Sequence, residues 1–199
     1  HFSNRVVFVG ANYVGPFPAG GVDPQSTGLD RLRTPYSRWE GGTRMPFIVS
    51  WPAKVKPGIS DALVSQVDFY ASFAALLGKP VPANAAPDSQ DVLAALLGQT
   101  EHGRTELLEE ALDQVAVRKG DWKYLPPGNV TERGGIGEWQ RTPVKEPGML
   151  FNLAKDPGET RDLAADYPDK VRELREIISR IAPGKISGTQ ALNPKQLGL

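Results

Sequence analysis

Two short apolar runs near the start of the chain predict the strands of a buried sheet. They occupy residues 5–9, "RVVFV", and residues 46–51, "PFIVSW". Continuous apolar runs bounded by Gly and Pro are typical of parallel strands that are covered on both faces. Residues 10–38 lie between them and show no apolar period, and a loop of that length in a compact domain usually has a function or is poorly ordered.

Two helices are predicted after the second strand. Ser65 and Asp68 have the spacing of a capping box, so we interpret Asp68 as a helix cap and not as an acid catalyst. The helix covers residues 67–77 and ends at Gly78, a residue type suited to a C-terminal cap. Its predicted apolar face consists of Val67, Tyr70, Ala71, Ala74 and Leu77. A shorter helix is predicted over residues 88–97, "DSQDVLAALL", before Gly98.

The second half of the chain has the pattern of an antiparallel sheet with one helix. Strand-like segments at residues 107–111 and 114–118 precede the turn Lys119-Gly120-Asp121, which predicts a hairpin into "WKYL". Residues 126–148 are rich in Gly and Pro and predict an irregular excursion, and residues 149–153 predict a further strand. The predicted core contains Trp122, Tyr124, Phe151 and the helix face formed by Val171, Leu174, Ile178 and Ile181.

The predicted fold class is therefore α/β. Residues 1–98 are expected to form part of an α/β core, and residues 99–199 a small antiparallel β-sheet with a packing C-terminal helix. Pro168 is expected near the start of that helix, where its missing N–H group has no partner to lose.

Composition narrows the possible partners and chemistries. The chain has 199 residues with 23 basic and 23 acidic side chains, and 40% of its residues are hydrophobic. This balance gives no reason to expect nucleic acid as a partner. No apolar run reaches the roughly 18 residues that a membrane span needs. There is no cysteine, which excludes disulfides and thiolate chemistry within this chain. Of the two histidines, His102 is expected at the surface.

Several segments, in order, carry a resemblance to a known family. They are "EGGTRMPFIVSWPAKVKPGISDALVSQVDFYASFAALLGK", "DSQDVLAALLG", "VAVRKGDWKYL" and "MLFNLAKDPGETRDLAADYPDKVRELREII". They resemble the C-terminal half of the sulfatases, of the bacterial arylsulfatase kind within the alkaline phosphatase superfamily. The resemblance covers about residues 5–182.

The resemblance implies hydrolysis of sulfate esters of small molecules or glycans, in a periplasmic or secreted protein. The family uses a formylglycine nucleophile made within a C/S-x-P-S/A-R motif and a calcium ion that polarises the sulfate. Lys, His and Arg side chains surround that sulfate and stabilise the developing charge. The C/S-x-P-S/A-R motif does not occur in these 199 residues, so we assign no catalytic residue.

Two positions depart from the pattern that the resemblance implies. Where the family has Asp-Asn-Gly, with Asp and Asn on calcium, this chain has Ala11, Asn12 and Tyr13. Asn12 is the candidate metal ligand that is left, although an Asn at the end of a strand is more often a turn former. The sulfate-binding lysine of the family corresponds to Pro35. Calcium needs about six to eight oxygen ligands, so we expect this chain alone to bind none.

Two arginines flank the missing lysine. Arg33 and Arg38 are candidate substrate-binding residues, and the alternative is that both are solvated loop charges. A guanidinium from another backbone position does not reproduce the geometry of an ammonium group.

The turn Glu40-Gly41-Gly42-Thr43-Arg44 is the other candidate feature. The alternatives for Glu40 and Arg44 are a contact with substrate or a structural role behind the site. The two glycines are expected to supply backbone conformations that other residues avoid.

Three hypotheses follow. The first is that the chain is the C-terminal part of a sulfatase whose catalytic half lies elsewhere, with that half or a second copy of the chain as its partner. The second is a non-catalytic relative that binds a glycan or a protein partner, and the third is a phosphoesterase of the same superfamily. Under the first two hypotheses we expect no turnover by this chain alone.

Overall fold

The structure is a computed structural model, and it describes residues 7–10, 38–43, 47–111, 114–133 and 139–183. The chain divides into two compact units. Of the described residues, the first unit contains 7–10 and 47–107, and the second contains the others. The units do not follow the boundary predicted after residue 98, because residues 38–43 group with the second unit and the later division falls inside a strand.

The first unit contains two strands followed by two helices, and the second unit consists mainly of strands. In chain order they are β1 (Val7–Gly10), α1 (Glu40–Thr43), β2 (Phe47–Ser50), α2 (Phe69–Leu76), α3 (Leu93–Leu96), β3 (Glu106–Ala111), β4 (Gln114–Lys119), β5 (Trp122–Leu125), β6 (Gly128–Arg133), β7 (Trp139–Val144), β8 (Met149–Asn152) and α4 (Pro168–Ile181). A single 3₁₀ turn, Gln66–Asp68, precedes α2. No helix among the described residues is long and apolar enough to cross a membrane.

Strands β1 and β2 of the first unit pair with each other in antiparallel register, with Val7 opposite Ser50. The prediction of two parallel-type strands is therefore wrong for this pair. Along β2, Phe47 and Val49 are half-buried whereas Ile48 is 60% exposed. This alternation is the pattern of a strand that is covered on one face only.

The core of the first unit is a small apolar cluster around α2 and α3. It contains Val92, Ala95 and Leu96, against which Phe47 and Phe69 pack. The ring of Phe69 lies 5.5 Å from that of Phe47, a distance within the usual range for aromatic pairs.

Helix α2 confirms the predicted element, but only part of its predicted apolar face is buried. Gly78 follows the helix with a φ of +62°, a left-handed conformation that Gly adopts at helix ends. Val67, Tyr70 and Leu77 are 51%, 50% and 71% exposed in the described structure. The buried positions are Ala71 and Ser72, whose small side chains allow close approach of the segment that contains Val92.

Helix α3 is shorter than predicted, because side chains hold the residues before it in a non-helical conformation. The N–H of Gln90 donates to Asp68 Oδ1 at 2.9 Å, and the N–H of Val92 donates to Ser72 Oγ at 3.0 Å. Asp91 accepts a hydrogen bond from the N–H of Leu93. Asp and Ser side chains compete in this way with the helical hydrogen bonds of a short segment.

The second unit contains a four-stranded sheet in the order β3-β4-β5-β8. Strands β4 and β5 form the predicted antiparallel hairpin, with Lys119 opposite Trp122, and Gly120 in its turn has a φ of +56°. Strand β8 pairs antiparallel with β5, so that Phe151 lies opposite Lys123. The sheet thus brings β8, the last strand among the described residues, next to the β4–β5 hairpin.

Helix α4 covers one face of this sheet, as predicted. Pro168 lies in its first turn, and Leu174 and Ile178 are fully buried. These residues belong to a cluster with Tyr124 and Leu150 of the sheet. Ile181, which we placed on the buried face, is instead 39% exposed at the end of the helix. Trp122, also assigned to the core, is only partly buried.

A second hairpin lies where the sequence predicted an irregular segment. Strands β6 and β7 pair antiparallel from Gly128 opposite Val144 to Arg133 opposite Trp139. The prediction failed because Pro143 and the polar residues around it lack the apolar alternation of a strand. A two-stranded ribbon tolerates such a sequence, because each of its strands has a free edge where Pro loses no partner.

We expect the substitution Leu174→Ala to lower the free energy of unfolding by about 2–5 kcal/mol, because it leaves a cavity beneath α4. The matched control is Arg172→Ala, whose exposed side chain should contribute within about 0.5 kcal/mol. Urea titrations followed by circular dichroism measure both. An equal effect of the two substitutions would contradict the packing described for α4.

Candidate functional site

The Glu-Gly-Gly turn is anchored within the second unit by a buried aromatic residue. Trp39 precedes α1 and packs with Leu125, Phe151 and Leu153. Its ring meets that of Phe151 edge-on, with the ring centroids 5.8 Å apart. Residues 40–43 form one helical turn, so Gly41 and Gly42 adopt a conformation open to any residue, contrary to our expectation.

A buried lysine on β5, Lys123, contacts several polar side chains around this turn. The Nζ atom of Lys123 lies 2.9 Å from Glu40 Oε1, 2.8 Å from Glu109 Oε2 and 3.6 Å from Glu159 Oε1. It also donates to Thr43 Oγ1 at 3.3 Å. The lysine side chain has no exposed surface. We call Glu40, Glu109, Lys123 and Glu159 the Lys123 cluster.

Glu159 joins the cluster by a second contact. Its Oε2 accepts a 2.7 Å hydrogen bond from the N–H of Glu40, so one carboxylate holds the main chain at the start of α1. Glu159 has a φ of +53°, in the left-handed region that residues other than Gly seldom adopt. Such a conformation persists when the surrounding contacts determine it. The turn Asp156-Pro157-Gly158 therefore positions the Glu159 carboxylate beside the N–H of Glu40 and the ammonium group of Lys123.

Burial and charge act in opposite directions on the groups of the cluster. Burial lowers the pKa of Lys123, but Glu109, Glu159 and Glu40 together outweigh it and the net shift is upward. Burial raises the pKa of Glu159 to about 7, although Lys123 and the N–H of Glu40 both favour its charged form. The carboxylates therefore favour the ammonium form of Lys123, whereas burial favours the neutral form of Glu159.

Arg38 is buried, and not a solvated loop charge as the alternative prediction had it. Only 2% of its surface is exposed, and its Nη1 donates to the carbonyl oxygens of Val115 at 2.8 Å and Pro126 at 3.3 Å. These contacts tie the start of the turn to β4 and to the end of β5. The predicted role of Arg38 in binding substrate stays a prediction.

Several predicted site residues lie outside the described residues. They are Ala11, Asn12, Arg33, Pro35 and Arg44. The proposed metal ligand and the position of the missing lysine are therefore neither confirmed nor contradicted by the structure.

The described residues do not fit a calcium site. Within them, no group of three or more His, Cys, Asp or Glu side chains could hold a metal ion. The three glutamates that converge in the second unit surround the Lys123 ammonium group, which occupies the place that a cation would need. We therefore derive no chemical step through calcium from these residues.

The first unit has its own buried ion pair. Arg104 donates through Nε to Asp68 Oδ2 at 2.7 Å and through Nη2 to Asp68 Oδ1 at 2.6 Å. Asp68 also accepts the N–H of Ser65 at 3.1 Å, which confirms its predicted role as a cap. The Asp68 side chain is fully buried, and its Oδ1 also accepts a hydrogen bond from the backbone N–H of Gln90. This two-fold pairing joins the start of α2 to the segment before β3.

Sequence reasoning identified Glu40 but missed its partners. Lys123 lies in the middle of "WKYL", and a lysine within an otherwise apolar buried strand is a signal for an internal ion pair. Glu159 has no role in the sequence prediction, and Glu109 belongs there only to the strand-like segment of residues 107–111. The signal for Glu109 was weaker, because its neighbour Glu110 is equally acidic and lies exposed.

Comparisons with known proteins identify the family to which the chain is similar. A family model described as Sulfatase matches residues 9–79. A protein named N-acetylgalactosamine-6-O-sulfatase from Bacteroides thetaiotaomicron is 43% identical over 150 residues, which cover 73% of this chain and 29% of that protein. Human arylsulfatase A is 28% identical over 80% of this chain and 34% of its own length.

Solved structures give the same result. A structure from a study of the metabolism of multiple glycosaminoglycans by Bacteroides thetaiotaomicron has a TM-score of 0.65 at 42% identity, over 73% of this chain and 30% of that one. The PsFucS1 sulfatase from Pseudoalteromonas sp. shares the fold, with a TM-score of 0.63 at 22% identity over 88% of this chain and 36% of its own.

The chain belongs to the sulfatase family, and its fold is the α/β fold of those relatives. It spans between 26% and 34% of the length of the curated relatives that it matches. The segments that align therefore represent a minor part of each relative.

We expect Lys123→Met to lower the free energy of unfolding by about 3–5 kcal/mol, because it leaves buried carboxylates without their cation. Lys119→Met is the matched control, since Lys119 pairs with Glu173 on the exposed surface at 2.7 Å and should contribute about 0–1 kcal/mol. Urea unfolding monitored by tryptophan fluorescence measures both. A loss of under about 1 kcal/mol for Lys123→Met would show that the cluster does not hold α1.

For the first unit, we expect Asp68→Asn to cost about 3–5 kcal/mol, because it leaves the Arg104 guanidinium without its buried partner. The control Asp166→Asn removes half of the exposed pair with Arg161 and should have little effect. Thermal unfolding of both variants tests this expectation. If Asp68→Asn unfolds like the unmodified chain, the pair does not stabilise the unit.

Proposed function

We propose that this chain is a structural and ligand-binding region of a sulfatase whose substrate is a sulfated carbohydrate. The observation that carries the proposal is the 43% identity to the N-acetylgalactosamine-6-O-sulfatase, which extends over 73% of the chain. The Lys123 cluster supports it from the geometry, because a buried ion cluster is a costly feature unless it fixes a particular element. That element is α1 with its Glu-Gly-Gly turn.

In this proposal, the residues around the turn have separate roles. Lys123 and Glu159 position α1 through buried contacts and do not touch the ligand. Arg38 holds the start of the turn, and its contact with substrate stays a prediction. Arg33 is the candidate for a direct contact with a sulfate group, because a guanidinium offers two parallel donors to an oxyanion. Asn12 is the corresponding candidate for the metal ligand of the family.

We further propose that the 199 residues alone do not hydrolyse sulfate esters. The C/S-x-P-S/A-R motif is absent from them, and Ala11 and Pro35 stand where the family has a metal-binding carboxylate and a sulfate-binding ammonium. Removal of one preorganised charge-stabilising donor typically costs about 3–4 kcal/mol of barrier. The loss of nucleophile, metal ligand and lysine together leaves no route to turnover.

The exposed apolar face of the first unit supports a partner in this proposal. Val67, Tyr70 and Leu77 are each about half exposed or more, and exposed apolar side chains that form a patch favour association. The partner is a polypeptide with the remaining sulfatase machinery, or a second copy of the chain. A secreted or periplasmic location follows from the family resemblance and belongs to the same proposal.

The second candidate function is a relative that binds sulfated glycans without any hydrolysis, even when its partner is present. The observation that favours it is the exchange at Ala11 and Pro35, because these two changes affect site positions within the chain itself. No comparable observation favours the phosphoesterase hypothesis.

The expected result for this chain is binding without turnover. N-acetylgalactosamine 6-sulfate should bind with detectable heat in calorimetry, whereas unsulfated N-acetylgalactosamine should not, because the arginine contacts require the sulfate. Nitrophenyl sulfate and nitrophenyl phosphate with calcium should release no nitrophenol. Arg33→Ala should weaken binding of the sulfated sugar, and Arg161→Ala, an exposed arginine in the second unit, should not.

Each contrary outcome has a definite meaning. Release of nitrophenol from the sulfate ester would contradict the proposal of inactivity, and release from the phosphate ester would favour the third hypothesis. Equal heats for the sulfated and the unsulfated sugar would contradict the proposed role in sulfate recognition.

A further inference from the structure

The four-stranded sheet of the second unit has two faces with different surroundings. Lys123 of β5 contacts Glu40 of α1. Its neighbours along the strand, Trp122 and Tyr124, pack instead with the cluster beneath α4, as expected where successive side chains of a strand point to opposite faces. The face that α4 covers therefore lies on the other side of the sheet from the Glu-Gly-Gly turn, and the proposed function uses none of its residues.

An aromatic pair lies at the edge of the face that α4 covers. The ring of Trp122 and that of Tyr167, which immediately precedes α4, have centroids 5.0 Å apart and are tilted by 56°. Trp122 is partly buried against the cluster, whereas Tyr167 is 46% exposed. The core thus fixes one ring of the pair, and the other ring presents aromatic surface to solvent.

Both rings carry a polar group that the fold does not use. Within the part of the chain that the structure describes, neither the indole N–H of Trp122 nor the hydroxyl of Tyr167 has a hydrogen-bond partner. Buried Trp and Tyr side chains usually satisfy these groups inside the protein. In this partly exposed pair, the two donors are available to the hydroxyl groups of a ligand.

Three charged side chains border the pair. Lys119 lies directly opposite Trp122 in the β4–β5 hairpin, and Lys170 lies one helical turn after Tyr167. Both ammonium groups contact Glu173, at 2.7 Å and 2.5 Å, and the three side chains are between 31% and 43% exposed. The border therefore offers hydrogen-bond donors and acceptors together. Because its charges are paired, it favours a ligand with many hydroxyl groups over a strongly charged one.

We propose that Trp122 and Tyr167 form a carbohydrate-binding site on the face of the sheet away from α1, where a pyranose ring stacks on Tyr167. The C–H groups of a pyranose carry a small positive charge, and the face of an aromatic ring is negative. The sugar hydroxyl groups then meet the two unused donors and the charged border. The inference rests on the proposed function only in taking the ligand to be a carbohydrate.

The test uses the whole chain and an unsulfated oligosaccharide that contains N-acetylgalactosamine (chondroitin), added at millimolar concentration and followed by NMR. The indole N–H signal of Trp122, identified by its loss in Trp122→Phe, should shift as the sugar is added. Stacking is not screened by ions, so the shift should persist in about 0.5 M salt.

Substitutions at the exposed ring should change the affinity for the oligosaccharide. Tyr167→Ala should weaken binding by about two- to tenfold, because it removes the stacking surface. Tyr167→Phe keeps the ring and should weaken binding less. The matched control is Ile181→Ala, which removes an apolar side chain of similar exposure, 39%, from the other end of α4 and should leave the affinity unchanged. Urea unfolding shows whether each variant is folded.

Several results would overturn this proposal. They are an unmoved Trp122 signal, an unchanged affinity in Tyr167→Ala, an equal loss in Ile181→Ala, and a shift that salt abolishes. If Tyr167→Ala lowers self-association of the chain and the sugar has no effect, the pair is a protein contact instead.

Failure of this site is distinguishable from failure of the proposed function. No calorimetric heat with N-acetylgalactosamine 6-sulfate, together with an intact Trp122 shift, would contradict the proposed sulfate recognition alone. Intact heat without a Trp122 shift would contradict the site at Trp122 and Tyr167 alone.

Discussion

The buried ammonium group of Lys123 is the interaction on which the second unit depends. It lies on the second strand of the β4–β5 hairpin, has no exposed surface, and reaches Glu40 and Glu109 within 3 Å. Burial of such a charge without a partner would cost a large amount of free energy and would favour its neutral form. With its carboxylates, it fixes a four-residue helix that could not persist alone, because a single helical turn gains too few hydrogen bonds to offset its nucleation.

The same interaction connects the segments by which the chain resembles its family. Glu40 lies in "EGGT", Lys123 in "GDWKYL" and Glu159 in "DPGET", which are far apart in the sequence. Folding brings all three to one point, where Glu159 also accepts the N–H of Glu40. Replacement of such a buried set by apolar residues of equal volume is often neutral for stability. We therefore infer that the cluster specifies the position of α1 on the sheet more than it adds net stability.

Sequence patterns predicted the helices and strands better than they predicted which side chains are buried or in contact. The hairpin at Gly120 and the helix from Pro168 were confirmed, because a tight turn and a strong 3.6-residue period leave few alternatives. The predicted length of α3 was wrong, because the N–H groups of Gln90 and Val92 donate to Asp68 and Ser72 and not to helical carbonyls. Lys123 and Glu159 were missed, since a periodic pattern does not tell which charged residues meet across a fold.

The most direct test of this account is a double-mutant cycle with Lys123→Met and Glu40→Gln, measured by urea unfolding. If the two side chains form one buried unit, the two losses should not add, and their coupling should be about 1–3 kcal/mol. Additivity within about 0.5 kcal/mol would mean that the two groups act independently. That result would contradict the claim that the ammonium group of Lys123 holds α1 in place.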